Sequence, residues 1–300
     1  MPNGLFIALF GAISWAINSV LVRRLSSRTG ESFTTTAASI YFGVPFFAVV
    51  LTVAGDWSAL ASVSLRAFIL LVVSGVVQLL VGRWLNYYAF QQIGANKAGP
   101  LTATTPLYAV IFAVVFLNES LTAFLAVGVL CIMAGVALIT GEKRSAVLSE
   151  KPVSRDKRIK GILAALGAAL CYGTSSVAVK AAITETGSPY ASIFIYFVSA
   201  AFFTSFLFIA PRRRQEISGF RVNGGLVALA FIVVFGTLSQ LFINVALNYS
   251  PASRVIPLYS TNVLLVFLIS YIFNRKMETF TVRIFLGMLA VVLGAFLVFH

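Results

Sequence analysis

Side-chain amides recur at helical spacing inside two long apolar stretches of this chain. Gln78 and Asn86 lie in the first stretch, and Gln240 and Asn244 lie in the second. Residues four or eight positions apart share one face of an α-helix. Because polar side chains inside a bilayer are costly, they usually face the protein interior or a watery cavity. The spacing therefore favours one of two roles for these amides: hydrogen bonding to a solute in a cavity, or hydrogen bonding between packed helices.

Hydroxyl and aromatic side chains extend this polar surface onto neighbouring apolar stretches. The further candidate substrate-binding residues are Trp15, Asn18, Ser19, Thr105, Tyr108, Tyr172, Ser176, Tyr259 and Asn262. Together with the amides they predict a central cavity made of hydrogen-bonding and aromatic groups. Serine and threonine hydroxyls also hold membrane helices together, so helix packing is the alternative role for any one of them.

Arg83 is a basic residue well inside a predicted membrane span, and it completes the set of candidate substrate-binding residues. Its guanidinium could attract an anionic or carboxylate-bearing substrate. Alternatively, its long side chain could snorkel to the cytoplasmic boundary of the membrane. Both interpretations are open at this point.

Catalytic and metal-binding groups are scarce within the apolar stretches. All nine carboxylates fall in loops or at the ends of predicted helices, so none is placed to carry a proton at mid-membrane. The only histidine is His300, and the two cysteines lack metal-binding spacing. We therefore expect no metal ion, no cofactor and no enzymatic activity. The alternatives to a transporter are a non-transporting membrane scaffold and an intramembrane enzyme, which would need clustered acidic or histidine ligands.

Composition places the whole chain in a membrane. Hydrophobic residues make up 59% of it and charged residues 10%, and the mean hydropathy is +0.96, outside the usual range of water-soluble domains. Since a spanning helix needs about 20 largely apolar residues, the sequence predicts an all-α, multi-pass integral membrane protein of the cell or plasma membrane with ten transmembrane helices. The ten stretches are 4–22, 34–54, 67–90, 95–117, 122–140, 161–181, 190–210, 224–248, 252–273 and 280–299.

The second half of the chain repeats the first. The segment GLFIALFGAISWAINSVLVRR at 4–24 returns as GILAALGAALCYGTSSVAVKA at 161–181, an offset of 157 residues. This self-similarity predicts two tandem units, at residues 1–140 and 161–300, joined by a basic linker at 141–160. Because five helices is an odd number, the second unit must cross the membrane in the opposite sense. The expected fold is a pair of inverted five-helix repeats with a substrate site near the midplane, which is typical of secondary transporters.

Positive charge is concentrated between the apolar stretches. The loops that follow predicted helices 1, 3, 5, 7 and 9 contain 18 of the 22 lysines and arginines, and cytoplasmic loops carry such an excess. The linker at 141–160 should therefore be cytoplasmic. We expect a small-molecule solute and the lipid bilayer as partners and no nucleic acid, despite a net charge of +13. Paired glycines in the fifth and tenth helices could pack these helices closely or mediate a homodimer.

Motifs in both halves resemble those of EamA-like transporters in the drug/metabolite transporter superfamily. WAINSVLVR at 15–23 and YGTSSVAVK at 172–180 resemble the helix-1 motif of that family, and Glu-x-x-Thr precedes a glycine-bearing fifth helix at 119–122 and 278–281. The resemblance implies a ten-helix, two-domain permease that moves small organic metabolites without ATP or a bound cofactor. Cationic-drug antiport is disfavoured, because neither helix-1 copy has the glutamate that small multidrug-resistance relatives use.

Equivalent prolines mark the fourth helix of each unit. Pro100 and Pro257 lie at matching positions and resemble the helix-4 proline of the same family. They could form hinges beside the cavity, or they could sit in the first turn, where proline is tolerated. We interpret them as first-turn residues that start helices 4 and 9.

Overall fold

Apolar helices make up the described part of the chain. The computed structural model describes residues 2–29, 32–93, 98, 101–140, 155–207, 226–273 and 281–299, and no β-strand lies within these ranges. Among the described residues, six helices are long and apolar enough to cross a membrane, and three shorter apolar helices accompany them. The fold is therefore all-helical and suited to a bilayer. The count of ten spans and their inverted arrangement stay predictions.

Helices in the first half follow the predicted apolar stretches. They are α1 (Pro2–Thr29), α2 (Ser32–Ala54), α3 (Trp57–Ala61), α4 (Leu65–Gly75), α5 (Arg83–Ile93), α6 (Thr105–Leu117) and α7 (Ala123–Thr140). Helix α4 begins after Ser64, whose hydroxyl accepts a hydrogen bond from the Ala67 N–H at 3.0 Å, a favourable N-cap. A π-helical segment, Val76–Gly82, joins α4 to α5 without a break.

Helices in the second half correspond to those of the first. They are α8 (Arg155–Thr186), α9 (Pro189–Leu207), α10 (Leu226–Tyr249), α11 (Ala252–Tyr259), α12 (Asn262–Phe273) and α13 (Val282–Phe299). Helix α8 ends at Gly187, which has a φ of +68° and donates its N–H to the Ile183 carbonyl at 2.9 Å. Glycine adopts this left-handed conformation without strain. Pro189 then starts α9 at a position where its missing N–H costs nothing.

The first helix of each half packs inside the other half. Helix α1 contacts α10, α11 and α12, while α8 contacts α4, the π-helical segment, α5 and α6. Small residues allow this close approach. Ala8, Ala12 and Ala16 recur every fourth residue on α1 and are fully buried. Each half therefore packs its first helix against helices of the other half.

Paired glycines bring α7 and α13 into backbone contact. A Cβ placed on Gly135 would lie 2.5 Å from the Gly287 carbonyl oxygen, and one placed on Gly128 would lie 2.9 Å from that of Gly294. The expected close packing of the fifth and tenth helices is thus present within a single chain. A homodimer stays a prediction. Within one chain, these glycines already pack against the opposite helix.

The fourth and ninth predicted stretches are interrupted at equivalent positions. In the second half a turn at 260–261 separates α11 from α12, and in the first half a turn at 103–104 precedes α6. The offset of 157 residues relates the two turns. Because the breaks shorten the flanking helices, neither stretch forms one long uninterrupted helix.

Pro257 lies near the end of α11 and not in its first turn. Helix α11 begins at Ala252, with Pro251 at the N-cap. Our interpretation of Pro257 as a first-turn residue was therefore wrong, and Pro100 lies outside the described residues. Pro257 lacks the N–H that a residue in a helix interior donates. The helix ends two residues later, at Tyr259.

Candidate substrate-binding cavity

Twelve of the fourteen candidate residues line one cavity of about 290 Å³. They come from both halves: Trp15 and Ser19 on α1; Gln78 on the π-helical segment; Arg83 and Asn86 on α5; Thr105 on α6; Tyr172 and Ser176 on α8; Gln240 and Asn244 on α10; Tyr259 on α11; and Asn262 on α12. The cavity volume is close to the lower limit of small-molecule sites, which is about 300 Å³. The space therefore suits a small metabolite.

Asn18 and Tyr108 are the two candidates that do not line this cavity. The Asn18 side chain is only 7% exposed, and its amide donates a hydrogen bond to the Ile232 carbonyl of α10. Tyr108 packs where α6 crosses α8, since a Cβ added to Gly173 would lie 2.8 Å from its Cβ. Asn18 thus joins two helices, which is the alternative role that polar side chains in a membrane commonly have, and Tyr108 lies at a helix crossing.

The π-helical segment aligns Gln78 with Arg83. In a regular α-helix, residues five apart are rotated by about 140°, which would point these two side chains away from each other. Hydrogen bonding from residue i to i+5 instead places residues five apart on nearly the same face. Asn86 follows one turn later on that face. Gly82 makes room for the neighbouring ring, because a Cβ there would lie 2.9 Å from Tyr172 Cε1.

Arg83 lines the cavity and is held by a neighbour on α2. Its Nη1 donates a hydrogen bond to Ser39 Oγ at 2.9 Å. The Ser39 hydroxyl in turn donates to the Thr36 carbonyl at 2.7 Å. Within the described ranges Arg83 forms no ion pair. The guanidinium is therefore oriented by a neutral partner, and its charge is not neutralised by a described carboxylate.

Comparison with known proteins decides the family. Residues 2–141 match the EamA-like transporter family, and residues 159–300 match it a second time. The chain belongs to the EamA-like transporter family. It is therefore a multi-pass integral membrane protein of a transporter family, as the motifs in both halves predicted.

Two further similarities agree with this EamA-like assignment. The chain is 27% identical over 145 residues to the uncharacterized transporter YvbV of Bacillus subtilis (strain 168), an alignment that spans 47% of this chain and 46% of that relative. This chain therefore aligns with about half the length of that curated relative. A solved structure described only as a crystal structure of a protein superimposes with a TM-score of 0.79 at 17% identity, covering 99% of this chain and 96% of that one. At this identity the similarity concerns the fold alone.

Tyr196 is a cavity residue of this EamA-like chain that the sequence did not predict. It lies on α9, is only 2% exposed and lines the cavity. Its hydroxyl has no hydrogen-bond partner among the described residues, and the same holds for Asn86 Oδ1. Most buried polar groups in proteins are hydrogen-bonded, so these two atoms are expected to meet a partner within the cavity.

An aromatic pair joins α1 to α11 at the cavity wall. The ring centroids of Trp15 and Tyr259 are 6.5 Å apart at an interplanar angle of 47°, within the range of favourable aromatic pairs. The Tyr259 hydroxyl is 2.9 Å from Ser239 Oγ. Because the Ser239 hydroxyl donates to the Gly11 carbonyl at 2.9 Å, the tyrosine is the donor in that contact. The pair is thus held from both halves before any solute binds.

Among the described residues that line the cavity, Arg83 is the only one that carries a formal charge. The four carboxylates within the described ranges have partners elsewhere: Asp56 with Ser188, Glu119 with the N-terminus of α11, Asp156 with Lys160, and Glu185 with Ser64. These acids lie in loops or in the terminal turns of helices, as predicted. Among the described residues, therefore, no carboxylate lines the cavity to balance the charge of Arg83.

Two polar lining residues come from the helix breaks. Thr102 precedes the turn at 103–104 and Ser260 lies in the turn at 260–261, and both line the cavity. Sequence periodicity did not single out Ser260, because it belongs to no polar stripe on a continuous helix. The equivalence of the two interrupted stretches, visible in the repeat, is the signal that would have drawn attention to it.

Proposed function

We propose that this EamA-like transporter is a permease that moves small organic metabolites by alternating access through the cavity between two inverted five-helix repeats. The observation that carries the proposal is the convergence of polar side chains from both halves on one small cavity. These polar residues are dispersed between positions 15 and 262 of the sequence, yet they line the same cavity. Polar and aromatic side chains in one cavity can replace the water that surrounds a soluble metabolite.

The relation between the halves supports alternating access. The first helix of each half packs against the third and fourth apolar stretches of the other, and the breaks at 103–104 and 260–261 are equivalent. Discontinuous helices beside the substrate site are common in secondary transporters built from inverted repeats. We assign the repeats to residues 1–140 and 161–300, with the linker 141–160 on the cytoplasmic side. Most of that linker lies outside the described residues.

Gln240 and Asn244 are the proposed substrate contacts best suited to a test. They are 6% and 5% exposed, and both line the cavity. The Asn244 Nδ2 donates to the Gln240 main-chain carbonyl at 2.7 Å, which orients the Asn244 amide. We propose that both side chains present polar groups to a solute.

The experiment measures transport by purified protein in sealed liposomes. A panel of amino acids, nucleosides, sugars and organic acids is assayed by counterflow, and the solute that moves is used for the variants Gln240→Ala and Asn244→Ala. Since one hydrogen bond contributes about 0.5–1.5 kcal/mol, we expect KM to rise by about two- to tenfold for each variant.

Asn18→Ala is the matched control, because it removes the same amide group from a helix contact outside the cavity. It should leave KM unchanged when transport is normalised to folded protein. Equal effects of all three variants on the yield of folded protein, with unchanged KM, would assign Gln240 and Asn244 to packing. If no solute moves, the chain is better explained as a non-transporting scaffold.

A further inference from the structure

We propose that the solute carried by this transporter bears a carboxylate, and that Arg83 and the Tyr196 hydroxyl bind that group. This inference rests on the proposed function and names the chemical class of its substrate. It follows from the charge of Arg83, from one buried hydrogen-bond donor that has no partner among the described residues, and from the remaining lining groups.

The charge of Arg83 favours an anionic ligand. A guanidinium has five N–H donors, and Ser39 takes one of them. No carboxylate from the described residues lines the cavity, so Arg83 has no counterion among them. A cation in a membrane interior is expensive unless it is paired or hydrated. A carboxylate fits the planar guanidinium through two parallel hydrogen bonds and would replace water as its partner.

The Tyr196 hydroxyl supplies a second donor from another helix. It is 2% exposed, unpartnered among the described residues and part of the cavity lining. Arg83 lines the same cavity. A phenol hydroxyl and a guanidinium that face one cavity can both donate hydrogen bonds to an acceptor that carries negative charge. Ser39 and Tyr196 also occupy equivalent positions in the two repeats, at an offset of 157 residues.

The rest of the cavity describes the body of the solute. Asn86 Oδ1 is a buried acceptor without a partner in the described part of the chain, so it suits a hydroxyl or an N–H on the ligand. The Trp15 and Tyr259 rings provide an apolar wall. A volume of about 290 Å³ limits the ligand to a small molecule. These features together indicate a small hydroxy- or amino-substituted organic acid.

A cationic solute fits the same groups poorly. It would need an anionic or strongly accepting partner, and Arg83 would repel it. The carboxylate assignment and a cation assignment therefore make opposite predictions for ligands that share one carbon skeleton. This allows charge to be tested separately from shape.

The first experiment compares matched ligands on the purified full-length protein. The probes are lactate with lactamide, benzoate with benzamide, and 4-hydroxyphenylacetate with 4-hydroxyphenylacetamide and the cation tyramine. Thermal unfolding in detergent reports binding, because a ligand that binds only the folded state raises its apparent stability. We expect at least one carboxylate to raise the unfolding temperature and its amide to have no effect at the same concentration. The proposal would be overturned if the amides or tyramine stabilised the protein as much as the carboxylates do. It would also be overturned if none of the carboxylates raised the unfolding temperature.

The second experiment changes the protein. Arg83→Gln introduces the residue that occupies the equivalent position 240 in the second half. Because a hydrogen bond to a charged group contributes more than a neutral one, we expect carboxylate affinity to fall about 10- to 100-fold. Arg83→Lys keeps the charge without the bidentate geometry and should fall between wild type and Arg83→Gln. Tyr196→Phe removes only the hydroxyl and should weaken carboxylate binding several-fold.

Arg66→Gln is the matched control, because Arg66 is an exposed arginine at the start of α4 and does not line the cavity. It should bind carboxylates as the wild type does. If Arg83→Gln fails to fold, Arg83→Lys and Tyr196→Phe carry the test. Unchanged carboxylate affinity in the folded variants would refute the assignment.

The two proposals fail in different ways. If Gln240→Ala raises KM for a neutral solute while Arg83→Gln has no effect, the permease stands and the carboxylate assignment falls. If carboxylates bind in an Arg83-dependent manner but no member of the panel crosses liposome membranes, the binding site stands and the permease falls.

Discussion

Replacing Gly135 with alanine tests the contact between α7 and α13. The added Cβ would lie 2.5 Å from the Gly287 carbonyl oxygen, 2.7 Å from Val291 Cγ2 and 2.8 Å from the Val291 main-chain nitrogen. Two of these three atoms belong to the backbone, so a side-chain rotation cannot relieve the overlap. The helices must separate locally, and the Gly128 contact with Gly294 on the same pair of helices opposes that movement.

The magnitude follows from the balance of two effects. Overpacking a well-packed contact costs about 1–3 kcal/mol. Alanine is better than glycine in a helix interior by about 0.8–1.0 kcal/mol in water, which offsets part of this cost. We therefore expect Gly135→Ala to lower the free energy of unfolding by up to about 2 kcal/mol. Gly135→Val should be more destabilising, because a branched side chain adds further overlap.

Gly167→Ala provides the matched control for this prediction. The nearest atom to a Cβ on Gly167 is Leu85 Cδ1 at 3.3 Å, the end of a flexible side chain that can move. Thermal unfolding of purified protein in detergent should therefore rank Gly167→Ala at or above wild type and Gly135→Ala below it. If Gly135→Ala is as stable as Gly167→Ala, the backbone contact between α7 and α13 does not exist as described.

Two other contacts join the halves and give separate predictions. Asn18→Ala should lower the free energy of unfolding by about 1–3 kcal/mol, because the buried Ile232 carbonyl loses its side-chain donor; thermal unfolding checks this, and unchanged stability would contradict it. Glu119 accepts hydrogen bonds from the N–H groups of Ala252 and Ser253, both at 2.8 Å, and thereby caps α11. Glu119→Ala should cost about 0.5–2 kcal/mol, whereas Glu119→Gln should cost less since the amide oxygen can still accept; equal losses would contradict the capping role.

The positions of the helices could be predicted from the sequence because bilayer spans depend on local composition. A stretch of about 20 apolar residues must form a helix to satisfy its own backbone. The predicted stretches 34–54 and 122–140 correspond to Ser32–Ala54 and Ala123–Thr140. Hydropathy averaged over about 20 residues could not show the breaks at 103–104 and 260–261, because the apolar residues of the flanking segments outweigh the few polar residues at each break.

The cavity residues were predicted less evenly, and the reason is physical. Periodicity identifies a polar face of a helix, but it does not show which neighbour covers that face. Asn18 and Gln240 are both amides in apolar helices, yet Asn18 meets a main-chain carbonyl of α10 whereas Gln240 meets the cavity. Tyr196 belongs to no polar stripe, so its single hydroxyl carried no periodic signal. Its place at the cavity depends on the packing of α9 against α2 and α4.

Arg83 and Gln240 give the proposed duplication a chemical consequence. They occupy equivalent positions at an offset of 157 residues, and both line the cavity. In inverted repeats, equivalent residues approach the central site from opposite sides of the membrane plane. In the proposed permease, a framework of similar helices alternates between two openings, while the only charge among the described lining residues belongs to the first half. A carboxylate bound at Arg83 would therefore keep the same orientation relative to the first repeat in both states, and the Gln240 amide would contact a neutral part of the solute.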